Sequence, residues 1–255
     1  MVEFIEVVFL AIVQGLTEWF PISSSGHLAL IQKVLGMEIP VAFDVVLHLG
    51  TLSSVVLFMR KDITLMIRSL LKFKSSEERR LGIYVIVGSL PIIIVGLALK
   101  DIVETVFSNS IVIGTALLVN GSILFLTKYS STKKELGLSN ALTIGMAQAL
   151  SFFPGISRSG STISTAILEG VDRQQAYKFS FLLSIVAILG ASVLEVPKLD
   201  TAVIPLEMVL IGFLISALVG YASIRRVSRL VVKGGFYKFS IYCWLLGFLT
   251  LITSI

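Results

Sequence analysis

Charge is scarce in this chain. Only 15% of its 255 residues are Asp, Glu, Lys or Arg, against about 25% in soluble domains. Hydrophobic residues make up 55%, and the mean hydropathy is +0.95. That balance excludes a water-soluble enzyme and leaves an integral membrane protein of one domain, residues 1–255. The single cysteine, Cys243, rules out an intrachain disulfide and lies in an apolar run, where it reads as a small buried hydrophobe. Two histidines, with no thiol cluster and no His-Glu-x-x-His, exclude a zinc site. No cleavable signal peptide is expected, because Glu3 and Glu6 stand where a basic start is required.

The net charge of +5 does not mark a nucleic-acid binder. Fifteen of the 21 Lys and Arg fall in three stretches read as loops, 60–80, 128–134 and 225–238, which assigns those loops to the cytoplasm. Six apolar spans follow from the pattern, at about 45–59, 82–99, 111–127, 179–194, 207–224 and 240–252. Two further apolar stretches, 4–35 and 139–170, are each broken by a turn rich in Ser and Gly.

The first break reads Gln14-Gly-Leu-Thr-Glu18-Trp-Phe-Pro21-Ile-Ser23-Ser24-Ser25-Gly26-His27. Taken alone, it fits either a polar turn in water or a broken helix inside the membrane. The second reading requires the freed backbone groups to be buried in protein or to line a cavity. A shift of 134 residues aligns it with the second break at six identical positions of fourteen, among them Gln14/Gln148, Ser23/Ser157, Ser25/Ser159 and Gly26/Gly160. Three spans per half is an odd number, so the halves are expected upside down to one another. The fold expected is an all-α polytopic membrane protein: a 3+3 inverted repeat (about 1–127 and 139–255), with six transmembrane helices and two re-entrant hairpins whose tips meet.

Each tip leads into a helix, so backbone N–H groups at its start form a ready anion site. Arg158 in the second tip would cost about 2.5–3.5 kcal/mol near a bilayer centre and needs a negative partner. That partner is either Glu18, as a structural ion pair, or a phosphate, which suits the fork of guanidinium donors. Ser157, Ser159, Gly160 and Thr162 add donors there, and Ser23, Ser25, Gly26 and Gln14 do so on the first side. Ser23, Ser24 and Ser25 are candidate nucleophiles, His27 a general acid or base, and Glu18 an orienting group, proton acceptor or ligand of a divalent cation. Together these groups describe phosphoryl transfer. His48, four residues after Asp44, reads equally as a cavity residue or as a hydrogen-bond partner of Asp44. Gly212 and Gly220 read as helix-packing positions.

At these residues the chain resembles the bacitracin-resistance type of undecaprenyl-diphosphate phosphatase, nearly end to end. The motif Glu/Gln-x-x-x-Glu then Pro-x-Ser-Ser-x-Gly-His is matched by Gln14 to His27. The motif Pro-Gly-x-Ser-Arg-Ser-Gly-x-Thr is matched by Pro154 to Thr162. The resemblance implies removal of the terminal phosphate of a polyprenyl diphosphate at the outer face of the cell membrane, recycling a lipid carrier for cell-envelope synthesis. It implies Ser24 and His27 as nucleophile or acid/base, Glu18 as the acidic group, Arg158 on the phosphate, and magnesium or calcium as cofactor. Many members carry Glu where this chain has Gln14, so Glu18 would act alone as the carboxylate. The other expected partners are the membrane and the lipid, with a homodimer allowed and no nucleic acid. A transporter or flippase of a polyprenyl phosphate is the alternative. The other membrane phosphatase class is excluded, since no Arg-Pro pair occurs.

Overall fold

A computed structural model describes residues 3–72, 76–107, 109–131 and 134–253. Among them the backbone is helical throughout, with a single isolated bridge between Lys134 and Val171. In chain order the helices are α1 (Phe4–Thr17), α2 (Ser24–Leu35), α3 (Val41–Phe58), α4 (Arg60–Leu71), α5 (Glu77–Ala98) and α6 (Val103–Phe107). The second half holds α7 (Ser110–Leu126), α8 (Leu138–Ala149), α9 (Arg158–Leu168), α10 (Arg173–Glu195), α11 (Leu206–Val232) and α12 (Phe239–Thr253).

Among the described residues six helices are long and apolar enough to cross a membrane: α3, α5, α7, α10, α11 and α12, three of them extended by a short 3-10 turn. The chain is thus a multi-pass membrane protein. Helices α1, α2, α8 and α9 have 14, 12, 12 and 11 residues, too short to cross. Helix starts follow local capping chemistry. Ser76, Asn109 and Asp172 each accept a hydrogen bond from a first-turn N–H.

The stretch 60–80, read as a loop, contains the helix α4 instead. Its charges, Arg60, Lys61, Asp62 and Arg68, masked an amphipathic period. Leu65, Ile67 and Leu71 are exposed, and no residue of α4 is buried. A helix of this kind suits the membrane interface, where its apolar face enters the acyl boundary. In the same way Arg225, Arg226 and Arg229 ride on the end of α11 rather than in a loop. Lys74 and Lys133 lie outside the described residues.

Small residues let the helices touch backbone to backbone. A Cβ at Gly50 would sit 2.0 Å from the Ser216 hydroxyl, and one at Gly145 would sit 2.2 Å from the Gly88 carbonyl. These contacts lock α3 to α11 and α8 to α5, with α1 also against α11 and α7 against α12. Gly212 and Gly220 pack against Leu47 and Ser54 of α3, as their spacing suggested. The main core gathers Trp19, Val55, Ile144, Ile163, Phe179, Phe181 and Ile224 around the two tips.

Candidate active site

The two breaks form a single structure. Ser23 adopts φ +66°, the sole positive φ outside glycine among the described residues, a conformation that costs on the order of 1–3 kcal/mol. Its hydroxyl compensates by accepting from Gly26 N–H at 3.3 Å and from Gly155 N–H of the other tip at 2.9 Å. In the second tip Ser157 caps α9 by accepting from Gly160 N–H at 3.0 Å. Asn120 of α7 reaches both tips, donating to the Pro21 carbonyl at 2.8 Å and accepting from Ser157 N–H at 3.2 Å. Gly155 must be glycine twice over, because its φ is +105° and a Cβ would lie 2.5 Å from the Ile113 carbonyl.

Glu18, at the end of α1, is the hub. The hydroxyl of Ser24 donates to its Oε2 at 2.6 Å, and Gln14 Nε2 donates to the same oxygen at 2.9 Å. Arg158 Nη2 pairs with Oε1. The remaining terminal nitrogen of Arg158, Nη1, has no acceptor among the described residues, and the guanidinium lies 5.3 Å from the Trp19 ring centre. A buried donor with an open valence calls for an acceptor. His48 Nε2 is 3.5 Å from Glu18 Oε2, and its Nδ1 is 2.7 Å from the Asp44 carbonyl.

A cavity of about 700 Å³ lies over this cluster. Glu18, Ser23, Ser24, Ser25, Ser157, Arg158, Asp44 and His48 form its polar floor. Its apolar walls come from the C-terminal halves of α5 (Ile92, Ile93, Gly96, Leu97) and α10 (Leu189, Gly190, Val193, Leu194). It extends to Lys100 and Glu195, at the ends of these helices remote from basic residues 225–233.

Not every expected site residue faces the cavity. His27 does not line it: Nδ1 meets the Ser23 carbonyl at 2.7 Å, Nε2 meets the Tyr242 hydroxyl at 2.7 Å, and the two rings stack. Gln14 is fully buried behind Glu18. Gly26 presses against Gly155, and Gly160 against Asn120. The Ser159 hydroxyl donates to the Phe20 carbonyl at 3.3 Å, and Thr162 turns to Ser180 at 2.6 Å. Asn120 and Tyr242 were not singled out from the sequence. An asparagine inside an apolar span is a signal that could have found Asn120.

Magnesium and calcium need open oxygen ligands. Glu18 is already engaged by three donors, Arg158 on one oxygen and Ser24 and Gln14 on the other, which leaves it little capacity for a cation. Among the described residues no three His, Cys, Asp or Glu side chains gather into a metal-sized group. A divalent cation here would therefore need most of its oxygens from outside the protein side chains.

A family model described as bacitracin resistance protein BacA matches residues 7–249. The chain belongs to this family. Among curated relatives it is 40% identical to an undecaprenyl-diphosphatase of Korarchaeum cryptofilum, over 96% of this chain and 97% of the relative. It is also 40% identical to one of Halothermothrix orenii, covering 99% and 98%, and 36% identical to one of Methanosphaera stadtmanae, covering 100% and 99%. The family match includes both tips, five of the long helices in full and α12 as far as residue 249.

Proposed function

We propose that this protein is an undecaprenyl-diphosphate phosphatase, cleaving the polyprenyl diphosphate to the lipid monophosphate and inorganic phosphate. One observation carries the reading: a serine hydroxyl donates to a carboxylate whose other oxygen holds an arginine with a free terminal nitrogen, all on a cavity floor. Ser24 Oγ attacks the terminal phosphorus as its proton passes to Glu18, and the bridging P–O bond breaks with its electron pair on the lipid monophosphate. Water then splits the phosphoserine. Arg158 and the N–H groups at the start of α9 stabilise the developing charge, a preorganised term worth about 10²–10³ in rate per donor. Ser25 and Ser157 on the floor complete the phosphate cradle, and His27 with Tyr242 fixes the shape of the first tip. A divalent cation, when one is used, arrives on the diphosphate rather than on Glu18.

The prenyl chain lies along the apolar walls of α5 and α10. A transporter of the intact lipid would give the Ser24–Glu18 hydrogen bond no role. With basic residues inside, the cavity opens at the outer face of the cell membrane. The broken hairpins are re-entrant and the halves inverted, which the crossed packing of α1 on α11 and α8 on α5 supports. The test is phosphate release from farnesyl diphosphate by detergent-purified protein, beside Ser24→Ala. Release lost in the variant is expected. No release from folded wild type under any cation condition overturns the reading.

A further inference from the structure

His48 is a second titratable side chain beside Glu18. It lies in the middle of α3, 21% exposed on its side chain, and it lines the cavity. Its Nδ1 is 2.7 Å from the Asp44 carbonyl, which can only accept, so Nδ1 carries the hydrogen. In the neutral ring Nε2 is then a lone pair. It faces Glu18 Oε2, also an acceptor, at 3.5 Å. Two acceptors confront each other with no hydrogen between them, and the contact becomes favourable only when one gains a proton. The proton is close by, because Ser24 donates to that same Oε2 at 2.6 Å.

The other groups around Glu18 cannot serve. Gln14 can donate but cannot take up a proton, and a guanidinium does not deprotonate in proteins. Asp44, Lys100 and Glu195 line the same cavity, but Asp44 bonds Gln32 and Glu195 bonds Lys198, and among the described residues none of the three bonds Glu18. His27 has both ring nitrogens engaged outside the cavity.

We infer that His48 is the proton-relay partner of Glu18, standing in for the second acidic group that Gln14 is not; the inference rests on the phosphatase reading. As the Ser24 Oγ–phosphorus bond forms and the bridging P–O bond breaks, the Ser24 proton moves to Glu18 Oε2, on to His48 Nε2, and then to the departing monophosphate oxygen. In the second step the water oxygen bonds phosphorus, the Oγ–phosphorus bond breaks, and one water proton returns through Glu18 to Oγ. Protons and electron pairs balance with no further reagent.

The test uses full-length protein in detergent with farnesyl diphosphate. His48→Gln keeps the size and a hydrogen-bonding end but cannot relay. It is expected to lower kcat about 100-fold at unchanged KM, within the range for general acid–base catalysis. His48→Ala opens space on the cavity, so added imidazole is expected to restore its rate at least about tenfold, as a proton carrier can and a packing group cannot. Gln14→Glu added to His48→Gln puts a titratable group on the other flank of the same oxygen and should recover part of the loss. His48→Gln within twofold of the wild-type kcat, or no imidazole rescue of folded His48→Ala, overturns the inference. If either occurs while the wild type is active and Ser24→Ala is dead, the relay alone fails. An inactive wild type sinks the phosphatase reading and the relay with it.

Discussion

The two tips share one scaffold and divide the chemistry. In both, a serine caps the returning helix by accepting from the glycine three residues on, Ser23 from Gly26 and Ser157 from Gly160. Among the aligned positions that differ, three change the chemistry: Glu18 aligns with Phe152, Ser24 with Arg158 and His27 with Ser161. Under the proposed mechanism the first tip therefore supplies a nucleophile and a carboxylate, and the second supplies the cation. Two like turns then yield an asymmetric site because the shared part is the cap and the differing part is the group that would meet the substrate. Gln148, the counterpart of Gln14, shows the cost of losing the partner. Both its side-chain amide atoms are buried without a hydrogen bond among the described residues, where Gln14 has Glu18 to bond.

The comparison breaks most sharply at Arg158. Arg158→Ala leaves Glu18 as an unpaired buried carboxylate and strips the phosphate of its cation, so phosphate release should fall by about 10³-fold or more while the protein still elutes as a folded species. Arg158→Lys should recover only a fraction, since a point charge cannot make the two-pronged contact. Second in size is Gly155→Ala, which forces a Cβ into a left-handed φ and against the Ile113 carbonyl. It is expected to lower thermal stability in detergent strongly, because both terms act at the seam between tips. Ser23→Ala removes a cap and leaves the Gly155 N–H unpartnered, and about 1–2 kcal/mol of stability should be lost. Its mirror, Ser157→Ala, keeps that N–H partnered and should cost less. The smallest effect is at Gly96, where an added Cβ meets nothing within 4 Å. Gly96→Leu should leave stability and farnesyl diphosphate turnover unchanged and slow only long-chain polyprenyl diphosphates, read by KM.

Much of this was legible in the residues. The six spans follow from apolar length, and the tips from Pro21 and Pro154 with their Ser-Gly runs. That Arg158 needs a counter-charge follows from its place in an apolar stretch, but only the fold shows that Glu18 supplies it. What sequence could not give was direction. His27 and His48 are both histidines near a polar break, and only the fold shows that one turns to Tyr242 and the other to Glu18. Spacing along one helix is local information, whereas these choices depend on α12 and α3 arriving from distant parts of the chain. The helix α4 was hidden for a different reason: dense charge in an interfacial helix looks like a loop when charges alone are counted.

The measurement that tests the division of labour most directly is the site of covalent phosphate during turnover. Protein mixed with labelled polyprenyl diphosphate and quenched within one turnover should carry acid-stable phosphate on the peptide holding Ser24, with none in Ser24→Ala. Acid-labile phosphate on His27 or His48, persisting when Ser24 is replaced, would contradict the account.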